Sequence, residues 1–220
     1  PKRVYTEADR HPMPGYESLL KRGRKIEYKY ENGKIYKTNI KAALSYWLVD
    51  KLKLIEDIKV KSQLAGYMSE IFIKYNKKWV PINHVGFGIS QVLPIVYSLL
   101  LNDKNTFFII DEPETHLHPG LQSKLSEFFY QMSQMNKRIL VETHSDYLIN
   151  MLIYYMLRED SVNSNIIMYW VNKSSDDRAK IDKIVYDEMG YINNAPTGFL
   201  GEYFNISSKI SEIRLEKIKK

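Results

Sequence analysis

Two short apolar runs, Phe107 to Ile110 and Arg138 to Val141, flank a helix-patterned stretch, and few folds accommodate that arrangement. Between them Leu121, Leu125, Phe128, Phe129 and Met132 recur on one helical face, and His118-Pro119-Gly120 opens the helix, proline being suited to a first helical turn. Short apolar runs of this kind read as buried strands. A strand, a crossover helix and a second strand form a parallel unit, so the chain from residue 86 onward reads as an α/β sheet with flanking helices. Ile166 to Val171 and Lys183 to Tyr186 add two further expected strands, and Ile206, Ile210 and Ile213 mark a final charged helix.

The residues before that unit follow another pattern. Ile26 to Tyr30 and Ile35 to Thr38 flank Glu31-Asn32-Gly33-Lys34, and Asn-Gly favours the turn that matches strand twist, which predicts a β-hairpin. From Ile40 to Leu54 the apolar residues Ile40, Leu44, Trp47, Leu48 and Leu52 recur at helical spacing. A second β-rich stretch follows at Ile71 to Tyr75 and Trp79 to Ile82.

With 44% hydrophobic and 26% charged residues, the 220-residue chain can bury one core and a small appended subdomain. No apolar run approaches the roughly 20 residues of a membrane helix, which argues against insertion. Pro1 to Arg10 is charged and lacks the apolar stretch of a secretory signal. The absence of cysteine removes disulfides and thiolate metal sites, and the expected location is the cytoplasm. A net charge of +6 is compatible with nucleic-acid contact, but the Lys and Arg residues are spread along the chain.

The chemistry concentrates where the first apolar run ends, in Thr106-Phe107-Phe108-Ile109-Ile110-Asp111-Glu112-Pro113-Glu114, a Walker B pattern. The strand delivers Asp111 to the carboxyl edge of the sheet, where a carboxylate can hold Mg²⁺. On an extended chain Glu112 faces the other way, placed to orient a water or take its proton. The alternative is an acidic loop that caps the next helix. The second run ends in Glu142-Thr143-His144-Ser145, so parallel pairing would bring His144 to the same edge, with Ser145 capping the next helix. Upstream, Asn83-His84-Val85-Gly86-Phe87-Gly88-Ile89-Ser90-Gln91 opens an apolar helix through a glycine-containing turn. Free N–H groups at such a helix start suit an anion, although the same pattern also serves as a plain cap.

Asp-Glu-Pro-Glu-Thr-His-Leu-His-Pro at 111–119, followed by Glu-Thr-His-Ser at 142–145, resembles the ABC-type ATPases of the OLD and SMC-related class. Gly-Phe-Gly-Ile-Ser-Gln-Val-Leu-Pro at 86–94 and Ala195-Pro196-Thr197-Gly198-Phe199 resemble bacterial AAA-type ATPases that end in a DUF3696 segment. The resemblance implies a P-loop NTPase of ABC/SMC-like type. Its C-terminal lobe would hold a parallel β-sheet flanked by helices, with an N-terminal β-hairpin and helical segment. It divides the chain into 1–85, leading to the signature motif, 86–190, the ATPase core, and 191–220, a DUF3696-like tail helix. It makes His144 the switch residue toward the γ-phosphate and Glu112 to His118 the D-loop. The turn with Gly86, Gly88, Ser90 and Gln91 becomes the signature that grips ATP held by an opposing subunit. Implied cofactors are ATP and Mg²⁺, the latter on Asp111. Implied partners are a second copy, an effector protein and nucleic acid, in a setting of anti-phage defence or DNA metabolism.

No Gly-x-x-x-x-Gly-Lys-Ser/Thr occurs, since the Gly33-Lys34 pair is followed by Ile35 and has Tyr28 where the first glycine belongs. The phosphate-binding loop is therefore expected on an N-terminal lobe outside this chain, and the chain alone is expected to be inactive. No Toprim-like acidic pattern follows His144. Two other readings stay open: a metal-dependent nuclease using Asp111, Glu112, Glu114, His116 and His118, and a non-catalytic regulatory partner of an ATPase. For His116 and His118, hydrogen bonding within the loop competes with nucleotide contact.

Overall fold

Strand β1, Lys25–Lys29, pairs antiparallel with β2, Ile35–Asn39, in the register Lys25 to Asn39 and Lys29 to Ile35, which is the expected hairpin. These come from a computed structural model that describes residues 25–29, 35–63, 68–102, 106–158, 166–173, 178–187 and 192–194. The Asn32-Gly33 turn, the Ala195 to Phe199 motif and the helix expected around Ile206 to Ile213 lie outside the described residues. The chain forms two compact units, Pro1–Leu152 and Ile153–Lys220.

In the first unit, helix α1, Ile40–Ser45, starts where the Asn39 side chain accepts the Ala42 N–H at 2.8 Å. It widens into a π turn over Tyr46–Lys51, the Leu52 N–H donating to the Trp47 carbonyl at 2.8 Å. The apolar spacing placed the helix end at Leu54, but the helical path stops earlier. Lys53 takes a left-handed φ of 54°, and the Leu54 N–H turns back to the Leu48 carbonyl. The wide turn still buries Trp47, Leu48 and Leu52 together.

Strands β3, Asp57–Gln63, β4, Met68–Tyr75, and β5, Lys78–Pro81, form an antiparallel sheet in that order. The sequence reading places no strand at β3. Its alternation of Ile58 and Val60 with Lys59 and Lys61 is the overlooked signal, masked by lysines with low β propensity. Asn76 and Lys77, with φ of 48° and 62°, make the tight two-residue turn between β4 and β5.

Helix α2, Phe87–Leu101, leads to strand β6, Phe107–Asp111. Helix α3, Pro119–Gln134, then crosses to β7, Arg138–Glu142, which pairs with β6 in parallel. Phe108 and Ile110 point into the core, whereas Phe107, Ile109 and Leu140 remain 37%, 45% and 52% exposed on the opposite face. Helix α4, Asp146–Arg158, follows. Among the described residues no helix is long and apolar enough to cross a membrane.

The core joins α1, α2, α3 and the strands around Trp47, whose ring meets Phe128 edge-on at 4.7 Å. Lys51 crosses from the π turn to Glu127 of α3 at 2.8 Å, and Lys124 donates to the Leu52 carbonyl at 3.3 Å.

In the second unit, β8, Tyr169–Lys173, and β9, Ala179–Lys183, form an antiparallel hairpin. This corrects the expected strands at Ile166 to Val171 and Lys183 to Tyr186, which were read as parts of a parallel sheet. Five residues, 174–178, separate the two strands, too few for a parallel crossover. The Tyr186 hydroxyl donates to the Ile166 carbonyl at 2.6 Å, and burial raises its pKa.

Phe128→Ala removes a fully buried ring from against Trp47, and the expected loss is about 3–5 kcal/mol in chemical denaturation. A loss below about 1 kcal/mol would show that this contact does not organise the core.

Candidate functional site

The parallel register places Asp111 beside Glu142, and one further rung joins the strands beyond it, the Glu112 N–H donating to the Glu142 carbonyl at 2.9 Å. The loops that leave the two strands therefore start side by side at the carboxyl edge of the sheet. The first is Glu112 to His118, and the second is Thr143 to Ser145. Glu112 does not continue the extended path assumed from the sequence. Its φ of 40° is in the left-handed region, so the chain turns sharply as soon as the strand ends.

That turn brings Glu112 to His144, with Glu112 Oε1 3.5 Å from His144 Nε2. The pair becomes an ion pair when the imidazole is protonated. The other oxygen, Glu112 Oε2, accepts from the Thr115 hydroxyl at 3.1 Å. His144 is largely exposed and Glu112 about half so, which leaves both side chains accessible from solvent. The Asp111 carboxylate is exposed beside them, and no hydrogen bond or ion pair engages it among the described residues.

Glu114 has a different environment. It is only 8% exposed, and its Oε1 accepts the His144 backbone N–H at 2.7 Å. The Glu114 carbonyl accepts the Leu117 N–H at 2.9 Å, closing a turn in which His116 takes a φ of 62°.

The loop is also held from the start of α2. Gly86 stands at the N-cap and is exposed. Gly88 lies against the loop, where an added Cβ would come within 2.8 Å of Leu117 Cδ2 and 3.4 Å of the His116 carbonyl. Phe87 meets the His116 ring edge-on at 4.8 Å. Gln91 Nε2 donates to the Glu112 carbonyl at 3.2 Å, and the Ser90 hydroxyl donates to the Phe87 carbonyl at 2.8 Å. Of the four residues picked out in this turn, Gly86 lies open to solvent, Gly88 and Gln91 grip the chain's own loop, and Ser90 bonds within the turn.

His118 accepts the Gly120 N–H on Nδ1 at 3.2 Å and so caps α3. Ser145 caps α4, its Oγ accepting the Leu148 N–H at 3.1 Å and donating to Gln122 Oε1 at 2.6 Å. Gln122 also donates to the Leu117 carbonyl at 2.9 Å, tying the two loops together from below. Sequence reasoning missed Gln122 and Phe87. The trace of Gln122 is a polar residue, followed by buried Ser126, on a helix side that otherwise faces the core.

Among the described residues no three His, Asp or Glu side chains gather as a metal-binding group. Glu114 is turned toward the His144 amide, His116 packs on Phe87 and His118 caps its own helix. Three of the five residues of the nuclease reading are thus engaged away from the edge where Asp111 and Glu112 stand.

A family model described as "AAA domain, putative AbiEii toxin, Type IV TA system" matches residues 16–150. The chain belongs to this family. UvrABC system protein A of Clostridium acetobutylicum is 25% identical over 122 residues, 54% of this chain and 12% of that protein. The chain therefore spans about an eighth of that relative's length. Among solved structures, one described as showing ATP-driven dimerization and DNA stimulated activation of SMC ATPases has a TM-score of 0.52 at 14% identity, covering 78% of this chain and 91% of that one. The Smc head domain of Pyrococcus yayanosii, solved with a coiled coil and joint, has a TM-score of 0.51 at 14% identity, covering 66% of this chain and 26% of that one. The fold is that of an ABC-type, SMC-like ATPase head, with a parallel sheet and flanking helices.

Gly88→Ala is expected to cost about 1–3 kcal/mol, because its methyl group must displace Leu117. Nothing lies within 4 Å of a Cβ at Gly86, so Gly86→Ala should cost under about 1 kcal/mol. Equal denaturation midpoints for the two variants would contradict the close packing at Gly88.

Proposed function

We propose that this chain is the catalytic-edge portion of an ABC-type ATPase that binds and hydrolyses ATP with Mg²⁺ and works by ATP-dependent dimerisation of its heads. The observation that carries the reading is the pair Glu112 and His144, 3.5 Å apart at the ends of two adjacent parallel strands. In this reading Glu112 orients a water and takes its proton, while His144 donates a hydrogen bond to the γ-phosphate. Asp111, exposed and unengaged among the described residues, is the residue suited to Mg²⁺. Bound Mg²⁺ would neutralise phosphate charge.

The turn at Gly86, Gly88, Ser90 and Gln91 serves the ATP of the opposing subunit. The open N-terminus of α2 at Gly86 supports that role, since it leaves N–H groups free toward an anion. Gly88 and Gln91 contribute by holding the turn against the Glu112 loop. The phosphate-binding loop is assigned to an N-terminal lobe, as no such loop occurs in 1–220. The exposed stripe of Phe107, Ile109 and Leu140 agrees with a further layer, because parallel sheets are normally covered on both faces.

In this proposal 1–85 is the lead-in, 86–190 the ATPase core and 191–220 a tail. The family description and the DNA-stimulated SMC relatives support a setting in defence or DNA metabolism, with an effector protein or nucleic acid as the further partner. The regulatory-partner reading accounts for the missing loop but gives no role to the facing of Glu112 and His144.

Without a phosphate-binding loop the isolated chain is expected to release no phosphate from ATP above background, and turnover near the roughly 10 per second of an ordinary enzyme would overturn the need for that loop from a further lobe. In the complete protein, Glu112→Gln should lower hydrolysis by about 10²-fold or more while ATP binding and dimerisation persist. Asp111→Asn should weaken Mg²⁺-dependent ATP affinity together with turnover. Near-normal hydrolysis by Glu112→Gln would return the Asp111-Glu112 pair to a structural loop.

A further inference from the structure

One buried ionisable group has no part in the chemistry proposed above. Glu114 is more than nine-tenths buried, lies two residues beyond Glu112, and reaches across to the neighbouring loop. A glutamate is a costly choice for such a place unless its oxygens are used, because burial strips away the water that would otherwise bind them. Oε1 is used, accepting the His144 N–H at 2.7 Å over a separation of 30 residues. Oε2 is buried with no hydrogen bond from the described residues. The hydrogen bond accepted from the His144 backbone N–H is therefore the one polar contact that accounts for this side chain among the described residues.

The contact falls on the backbone of the residue whose side chain faces Glu112. His144 follows the last rung of β7 and precedes the Ser145 cap of α4, and its own ring is largely exposed. With the ring largely exposed, the anchors found at this residue are on its backbone, held between the strand, the helix cap and the Glu114 carboxyl group. Because Glu114 belongs to the same loop as Glu112, and Thr115 bonds to Glu112, a displacement of one loop is transmitted to the other. We infer that Glu114 is a positioning residue, a buried strut that holds His144 against Glu112 by accepting the His144 backbone N–H. This inference rests on the ATPase reading of Glu112 and His144 given above.

The experiment separates the strut from that reading by using one measurement that needs no activity. Amide hydrogen exchange at His144 is measured in the complete protein and in Glu114→Gln, Glu114→Asp and Glu114→Ala. Glutamine keeps an oxygen at the same reach, so exchange should stay within about threefold of the parent. Aspartate is one methylene too short and alanine has no acceptor, so both should exchange about tenfold faster or more. Steady-state ATP hydrolysis is measured on the same proteins, together with His144→Ala and the Glu114→Ala, His144→Ala pair. Glu114→Ala should lower kcat by about tenfold to a hundredfold with KM changed less than threefold, since misplacement of a group costs rate rather than binding. The double variant should be no slower than His144→Ala alone, because the strut acts only through that residue.

Unchanged exchange in Glu114→Asp, which keeps the carboxyl group and remains informative if alanine does not fold, would overturn the strut. So would glutamine behaving like alanine, or single losses that multiply in the double variant. If His144→Ala hydrolyses ATP normally, the ATPase role of His144 fails and the catalytic half of the inference falls with it. If His144→Ala is slow and Glu114→Ala is not, the inference alone fails.

Discussion

The parallel pairing of β6 with β7 is the constraint from which the rest of the site follows. A parallel pair without an offset makes both strands end at one level, and here the ladder continues one rung past Asp111 through the Glu112 N–H. Two loops distant in sequence therefore leave the sheet as neighbours. All the contacts described between Glu112, Glu114, Gln122, His144 and Ser145 depend on that starting point. A slip of one residue would carry Phe108 and Ile110 out of the core and separate the two exits at the same time. The buried side of the sheet thus stabilises the fold and aligns the two loops at its carboxyl edge with the same side chains.

The loops are also braced from three directions. Gln91 holds the Glu112 carbonyl from the start of α2, Gln122 holds Leu117 and Ser145 from α3, and Glu114 holds His144 from within the loop. Each bond by itself is worth only about 1 kcal/mol net. Together they define one conformation for two segments that lack regular secondary structure. The start of α2 is part of this frame, so a ligand that draws on Gly86 also bears on the backbone of Glu112.

Much of this arrangement was legible in the sequence because it rests on apolar period and on residues at strand ends. The runs before Asp111 and Glu142 identified a parallel pair, and the proline after His118 identified the helix between them. Strand β3 was hidden because lysines fill its outer positions, and the hairpin of β8 and β9 was misread because apolar runs carry no direction. The early end of α1 depends on a π turn, which burial of Trp47, Leu48 and Leu52 permits but their spacing does not announce. At the candidate site, the residues that end the two strands were readable while their mutual bracing was not. Gln122 and Glu114 act through contacts 23 and 30 residues away, and short patterns do not encode such distances.

The backbone at Glu112 has one more consequence. A left-handed φ suits glycine or asparagine, whereas an ordinary side chain there carries a strain of about 1 kcal/mol or more. The carboxylate and the relaxed backbone thus ask for different amino acids at one position. Optimising this chain for thermal resistance alone would favour residues that erase the carboxylate. The strain at Glu112 also means that the neighbouring anchors, Gln91 and the Glu142 carbonyl, maintain a conformation the residue would not hold by itself.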